Sequence, residues 1–222
     1  MAKLTWDADG TRTFETGVDH GVLYVATDEG GYGRGVAWSG LTAVTESPSG
    51  AEPNKQYADN IVYVNLTSAE EFGGTIEAFS SPEEFDACDG LVSPAAGVSI
   101  GQQQRKTFCL VYRTKVGNDT VGQNYGYKLH LLYGLTATPS EKAYQTINES
   151  PEAMTLSWEV SSSPVSVPGM APTSVITIDS TQVDAADLET LETALFGSEV
   201  VGAEAEKFAK ILMPAEVMAI FA

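Results

Sequence analysis

Residues 101–135 read GQQQRKTFCLVYRTKVGNDTVGQNYGYKLHLLYGL, and their alternation decides the fold class. In the second half, Tyr127, Leu129, Leu131 and Tyr133 recur at every second position, with Lys128 and His130 between them. That period belongs to a strand, whose successive side chains point to opposite faces. Residues 107–115 and 127–135 are expected to pair as a hairpin, joined by a glycine- and asparagine-containing loop over residues 116–126. One face of the hairpin then belongs to a core, and the other meets water or a partner.

The same stretch carries Arg105, Lys106, Arg113, Lys115 and Lys128 against a single acid, Asp119. The whole chain holds 12 basic and 30 acidic residues, a net charge of -18. A basic island in an acidic molecule suits contact with an acidic surface of another copy, while its plainer reading is a solvated strand face. The overall charge opposes affinity for nucleic acid, which is driven by Lys and Arg displacing counterions from phosphate. It is compatible with a protein past which nucleic acid slides without sticking.

Before the hairpin, residues 21–26 and 36–45 read as strands, joined by the turn-rich DEGGYGRG. Its glycines do not make a phosphate loop, because no Lys-Ser or Lys-Thr follows. Residues 46–59, ESPSGAEPNKQYAD, contain two prolines and a glycine; they are expected to form an extended contact loop rather than sheet. Residues 61–66 and 72–80 read as strands. In SPEEFDACDG, residues 81–90, Ser81 is placed as a helix N-cap, Pro82 at the first helical position and Gly90 as terminator. Phe85 and Cys88 would share that helix's buried face.

After the hairpin, residues 155–161 alternate Leu156, Trp158 and Val160 with Ser157 and Glu159, and residues 174–178 resume a strand beyond Pro164, Pro168 and Pro172. Residues 184–196 place Leu188, Leu191 and Leu195 at helical spacing between the N-cap Asp184 and the stop Gly197. A last helix is expected over residues 214–221, beyond a linker that would let it dock on a neighbour. Hairpin-linked strands favour a mainly β, antiparallel sandwich or barrel with one packed helix. The expected division is a β domain over residues 1–180 and a helical extension over residues 181–222.

Chemistry is hard to find. Two histidines, His20 and His130, cannot supply a three-histidine metal set, and there is no HExxH or DxDxDG motif. His130 is expected to be exposed or at an interface. Cys88 and Cys109 lack CxxC spacing and are expected as free, buried thiols. No apolar run approaches the roughly 20 residues that span a bilayer, and the N-terminus lacks a signal-peptide core, so synthesis in the cytoplasm is expected. No cofactor is called for, and assembly is favoured over catalysis.

The blocks WSGLTAVTESPSGAEPNKQYADNIVYVNLTSAEEFGGTIEAFSSPEEFDACDG, GVSIGQQQRKTFCLVYRTKVGND, GYKLHLLYG and PSEKAYQTINESPEAMTLSWEV resemble the major tail protein, or tail tube protein, of long-tailed bacteriophages and prophages of Gram-positive bacteria. The resemblance covers residues 36–179. It implies a non-enzymatic structural subunit of the virion tail, made in the bacterial host cytoplasm. Hexameric rings of it stack into a tube through which the genome passes without specific binding. It further implies contacts with a tape measure protein, a tail terminator and distal tail or baseplate proteins. A loop reaching the adjacent ring would fall on Glu46, Pro48, Glu52, Pro53, Asn54, Lys55 and Tyr57. The basic island becomes a candidate subunit contact, and Glu77 and Glu159, on polar strand faces, are candidates for the lumen wall. The alternative from another class is a β-sandwich module that binds a carbohydrate or receptor. That reading predicts an exposed aromatic platform, whereas Trp38 and Trp158 fall on core faces and Trp6 alone is free.

Overall fold

The computed structural model describes residues 4–147, 149, 152–198 and 207–222. In chain order the described strands are β1 (Thr13–Val25), β2 (Val36–Trp38), β3 (Leu41–Glu46), β4 (Ser49–Gly50), β5 (Pro53–Ala58), β6 (Ile61–Thr67), β7 (Glu70–Glu71) and β8 (Gly73–Ala78). There follow a 3-10 helix (Glu83–Ala87), β9 (Val92–Ala95), β10 (Val98–Ile100), β11 (Phe108–Asn118), β12 (Gly122–Ala137), β13 (Leu156–Ser162) and β14 (Val175–Asp179). Helices α1 (Ala185–Phe196) and α2 (Pro214–Ile220) close the chain.

The β11–β12 hairpin is the trunk of an antiparallel sheet ordered β2-β1-β11-β12-β13-β8-β3, with β14 added to β12. Its connection is shorter than the expected 116–126 loop, since the ladder runs on through Lys115↔Tyr127 and Val116↔Gly126 to Asn118↔Gly122. The Asn118 side-chain oxygen accepts from the amides of Thr120 and Val121, and Gly122 turns with φ +72. An Asn that folds back on the backbone is enough to make a tight turn, so the flanking residues stay in the strands.

β12 serves two sheet halves. Lys128 to Leu132 pair with β14, whereas Leu135 to Ala137 pair with β13. The corner lies at Gly134, whose φ is +60 and where a Cβ would stand 2.3 Å from the Ser163 carbonyl oxygen. Only glycine fits there. Past the corner, β13, β8 and β3 fold back over β1 and β11, and Leu41 of β3 packs so closely on Gly21 of β1 that a Cβ would meet Leu41 Cδ1 at 2.4 Å. The result is a β-sandwich with a small α component, mainly β as the sequence implies.

Two cores result, one on each face of β11 and β12. Inside the sandwich, Trp38, Phe85, Phe108 and Trp158 interlock edge to face or tilted, with ring centroids 4.6 to 5.6 Å apart. Leu23, Leu110, Leu132 and Leu135 complete this core. On the outer face, Tyr24, Cys109, Val111, Leu129, Leu131 and Tyr133 meet Leu188, Leu191 and Leu195 of α1 and Val217 of α2. Each such fully buried aliphatic side chain contributes roughly 1.5–3 kcal/mol. The expectation that the hairpin's second face meets water or a partner is therefore corrected. The run FCLVY is buried on both faces because helices cover one side and the second sheet half the other.

Three helical expectations are also settled. Residues 81–90 give only a short 3-10 helix, preceded by an extended Pro82 with no side-chain cap, although Phe85 and Cys88 do share its buried face. In α1 the Asp184 carboxylate accepts from the Ala186 amide, and Gly197 ends the helix with φ 81, as read. The final helix docks at home: Val217 is buried, and the Tyr133 hydroxyl donates to the Leu212 carbonyl at 2.8 Å. Much of the linker preceding it lies outside the described residues.

Candidate assembly surfaces

Residues 46–72, read as a loop and then a strand, form instead a β-hairpin arm. β4 and β7 pair at its base and β5 and β6 along its length. Asp59 and Asn60 make the two-residue turn, with φ 52 and 62. Two consecutive left-handed residues are what a type I′ hairpin turn demands, and Asp and Asn tolerate that conformation best after glycine. Pro53 does not interrupt the ladder because it opens its strand, where a missing donor costs least.

The arm has no core beneath it. All of β6 is exposed, and all of β5 apart from Ala58. Tyr63 is 74% exposed, Tyr57 69%, Ile61 63% and Leu66 56%. A lone two-stranded hairpin is marginal in water, so these side chains call for cover from another surface. Glu46 ends β3 at the arm's root, Pro48 precedes β4, Glu52 lies between β4 and β5, and Pro53, Asn54, Lys55 and Tyr57 lie along β5. The strand expected over residues 61–66 is present as β6, but it belongs to the arm and carries most of its exposed apolar surface, which the contact residues named from sequence leave out. The hairpin's signal was an Asp-Asn pair between two strand-forming runs.

A second, smaller arm projects from the 3-10 helix. β9 and β10 pair around Gly97, with Val92, Val98 and Ile100 about half exposed and Ser93 facing Ser99 at 3.5 Å. Its root is closed by the Gln103 amide donating to Gly90 and pinned by Arg105, whose Nη1 donates to the carbonyls of Cys88 and Ala137.

The basic island does not form one patch. Arg105 pairs with Asp89 at 3.3 Å, Lys106 with Asp28 at 2.8 Å and Lys128 with Glu15 at 2.6 Å. Arg113 grips Asp19 with two hydrogen bonds of 2.7 and 3.0 Å. These bonds hold the Asp19 carboxyl below its usual range against the opposing effect of burial. Lys115 is exposed and has no ion pair among the described residues. Arg113 and Lys115 share the α1 side of the sheet, Lys128 faces the other side, and Lys106 lies seven residues before Arg113, roughly 23 Å along an extended chain.

His130 is mostly buried, correcting the expectation of an exposed or interface position. Its ring stacks on Tyr112 with centroids 4.7 Å apart and planes 1° from parallel. Thr114 Oγ1 donates to Glu15 and therefore accepts from His130 Nε2 at 2.9 Å. Nδ1 has no hydrogen-bond partner among the described residues, and Glu46 Oε1, held by the Tyr112 hydroxyl, stands 3.8 Å away. Burial depresses the basicity of the imidazole more than Glu46 and Glu15 raise it.

Glu77 and Glu159 lie on the face of β8 and β13 opposite the buried Ile76 and Trp158. Ala43 and Ser157 flank Glu77, and Thr75 flanks Glu159, in a strip of small and polar side chains. Neither carboxylate enters an ion pair among the described residues. Burial pushes the Cys88 thiol up to about 12 and the Cys109 thiol up to about 11, so both stay protonated and unreactive. Among the described residues no group of His, Cys, Asp and Glu is arranged to hold a metal ion. No protein-family model matches this chain, and no curated protein matches it.

Proposed function

We propose that the chain is a non-enzymatic structural subunit of a bacteriophage tail tube, in which hexameric rings stack around a lumen that conducts the viral genome. The observation that carries this reading is the β5–β6 arm, a long apolar ribbon with no cover among the described residues. A stacked assembly supplies cover at every repeat. Sheet edges support the same reading: β14 pairs on one side only, and so does β1 over residues 13–19. Edge pairing between neighbours in a ring would close both. The unpaired carboxylates Glu77 and Glu159 suit a wall that repels DNA phosphate. In this role the tape measure protein, a terminator and distal tail or baseplate proteins are the further partners, and the virion tail is the final location.

Negative-stain electron microscopy of the purified chain tests the reading. Rings, or tubes with a regular axial repeat, are expected; a chain that stays monomeric at high concentration overturns it. The alternative, a carbohydrate- or receptor-binding module, draws support from the exposure of Tyr57 and Tyr63, which could stack on a sugar face. Saturable glycan binding by a monomer, abolished by Tyr63→Ala, would establish that reading instead.

A further inference from the structure

The two arms are rooted at separate places on the sheet. β3 and β8 pair from Leu41↔Ala78 at one end to Glu46↔Gly74 at the other. The β5–β6 arm departs after Glu46 and returns at Gly73, the Ser47 amide donating to the Gly73 carbonyl at its root. The chain leaves the other end through Phe79, whose amide donates to Gly40, and Ser80, whose carbonyl accepts from the Trp38 indole, and enters the 3-10 helix and the β9–β10 arm. The 3-10 helix carries the second arm back across the sheet, where Arg105 at its root donates to the carbonyl of Ala137, the partner of Val160 and, through it, the neighbour of Gly74.

Composition matches the two arms to each other. In a chain of net charge -18, residues 53–67 carry one acid and one base, Asp59 and Lys55, and residues 91–104 carry no charge. The pairs Val98↔Ala95 and Ile100↔Val92 put these four residues on one face, with Ser93 and Ser99 on the other. None of these four residues belongs to either core, and Val92, Val98 and Ile100 are about half exposed. Two acidic molecules approach with least repulsion where both surfaces are uncharged.

We infer that the β9–β10 arm is the receiver for the β5–β6 arm of a second copy of this chain. The inference rests on the tail-tube reading and names the surface that the long arm meets. The contact is heterologous: unlike surfaces join, so each bound copy presents a fresh long arm. Arm-to-arm pairing between identical long arms would instead stop at a dimer.

The test uses full-length protein. Tyr63→Cys and Val98→Cys single variants are mixed and treated with a short bis-maleimide, with Cys88 and Cys109 buried and silent. A covalent dimer requiring both variants is expected. In parallel, Val98→Asp/Ile100→Asp should weaken self-association, read by sedimentation velocity, on the order of tenfold or more, which is what losing a central apolar anchor does. Its melting temperature should change little, because the substituted side chains belong to neither core. If the Asp variant destabilises the fold, the cross-link alone decides. Cross-linking of Tyr63→Cys copies to each other, or wild-type assembly by the Asp variant without a mixed cross-link, overturns the receiver while leaving the tube reading intact. Failure of the wild-type chain to self-associate at all overturns both.

Discussion

At His130 a single ring nitrogen separates a quiet core residue from a titrating one. Nε2 is committed to Thr114, Nδ1 faces Glu46 without a bond, and the ring is mostly enclosed, with Tyr112, Glu15, Glu46 and Lys128 around it. Burial lowers the folded-state pKa below the unfolded value of about 6.5. A base that binds its proton more weakly when folded loses stability as pH falls from the unfolded pKa to the folded one. Thermal melts should therefore show a decline that begins below about pH 6.5 and is absent from His130→Gln. A second decline should survive in that variant, beginning below about pH 4.5, because Glu15 and Asp19 have lowered pKa values and their stabilisation is lost only as those carboxylates protonate. An identical pH profile for the two proteins would mean that the imidazole titrates alike in both states. Arg113 and Lys115 separate structural from free charge in the same way. Arg113→Lys gives up one of two charge-assisted bonds to Asp19 and should cost about 1–2 kcal/mol in urea unfolding. Lys115→Glu should stay within about 0.5 kcal/mol, as exposed substitutions usually do. Of the five basic residues, Lys115 is thus the one whose reversal probes subunit contact without first disturbing the fold.

Among the elements, the 3-10 helix is held by one side chain more than by its own hydrogen bonds. Phe85 lies against Trp38, Phe108 and Trp158, and the turn around it both plugs the inner core and roots the β9–β10 arm. Phe85→Ala should cost about 3–5 kcal/mol in denaturant unfolding. A loss below about 1 kcal/mol would mean that neighbouring rings collapse into the space. Local chemistry made this element legible in part: Pro82 and Gly90 mark its limits and Phe85 with Cys88 its inner face, but five residues are too few for helical periodicity to tell an α-turn from a 3-10 one. Helix α1 was fully legible, because its cap, its leucine stripe and its stop all act within one stretch. The β13 strand was legible for the same reason, since Trp158 and Val160 alternate with polar neighbours. The bend at Gly134 was not, as it depends on Ser163 arriving from another part of the chain. Nor was the solitude of β6: its valines, isoleucine and tyrosine describe a buried strand, and only the topology shows that nothing among the described residues covers them. The basic island dispersed for a like reason, its partners Asp19, Asp28, Glu15 and Asp89 being distant in sequence.

The whole molecule confronts a conflict between charge and association. A net charge of -18 on 222 residues repels every approaching copy, yet the long arm offers a nearly uncharged apolar surface that gains by being covered. The two terms respond to salt in opposite ways. The repulsion acts over a Debye length of about 10 Å at 0.1 M and about 3 Å at 1 M ionic strength, whereas apolar burial is not screened. Assembly held by the arm should therefore strengthen as salt is added. Assembly held by cation–carboxylate contacts through Lys115 or its neighbours should weaken. Light scattering across a sodium chloride series separates the two, and a fall in assembly with salt would return the contact to the basic residues. Replacing residues 53–67 by a short glycine-containing turn completes the argument, because that segment contributes no residue to either core and its removal should leave the melting temperature unchanged. The shortened chain should remain unassembled at every salt concentration. If it assembles with salt as the full chain does, the open edges of β1 and β14 suffice for association, and the arm has no part in holding copies together.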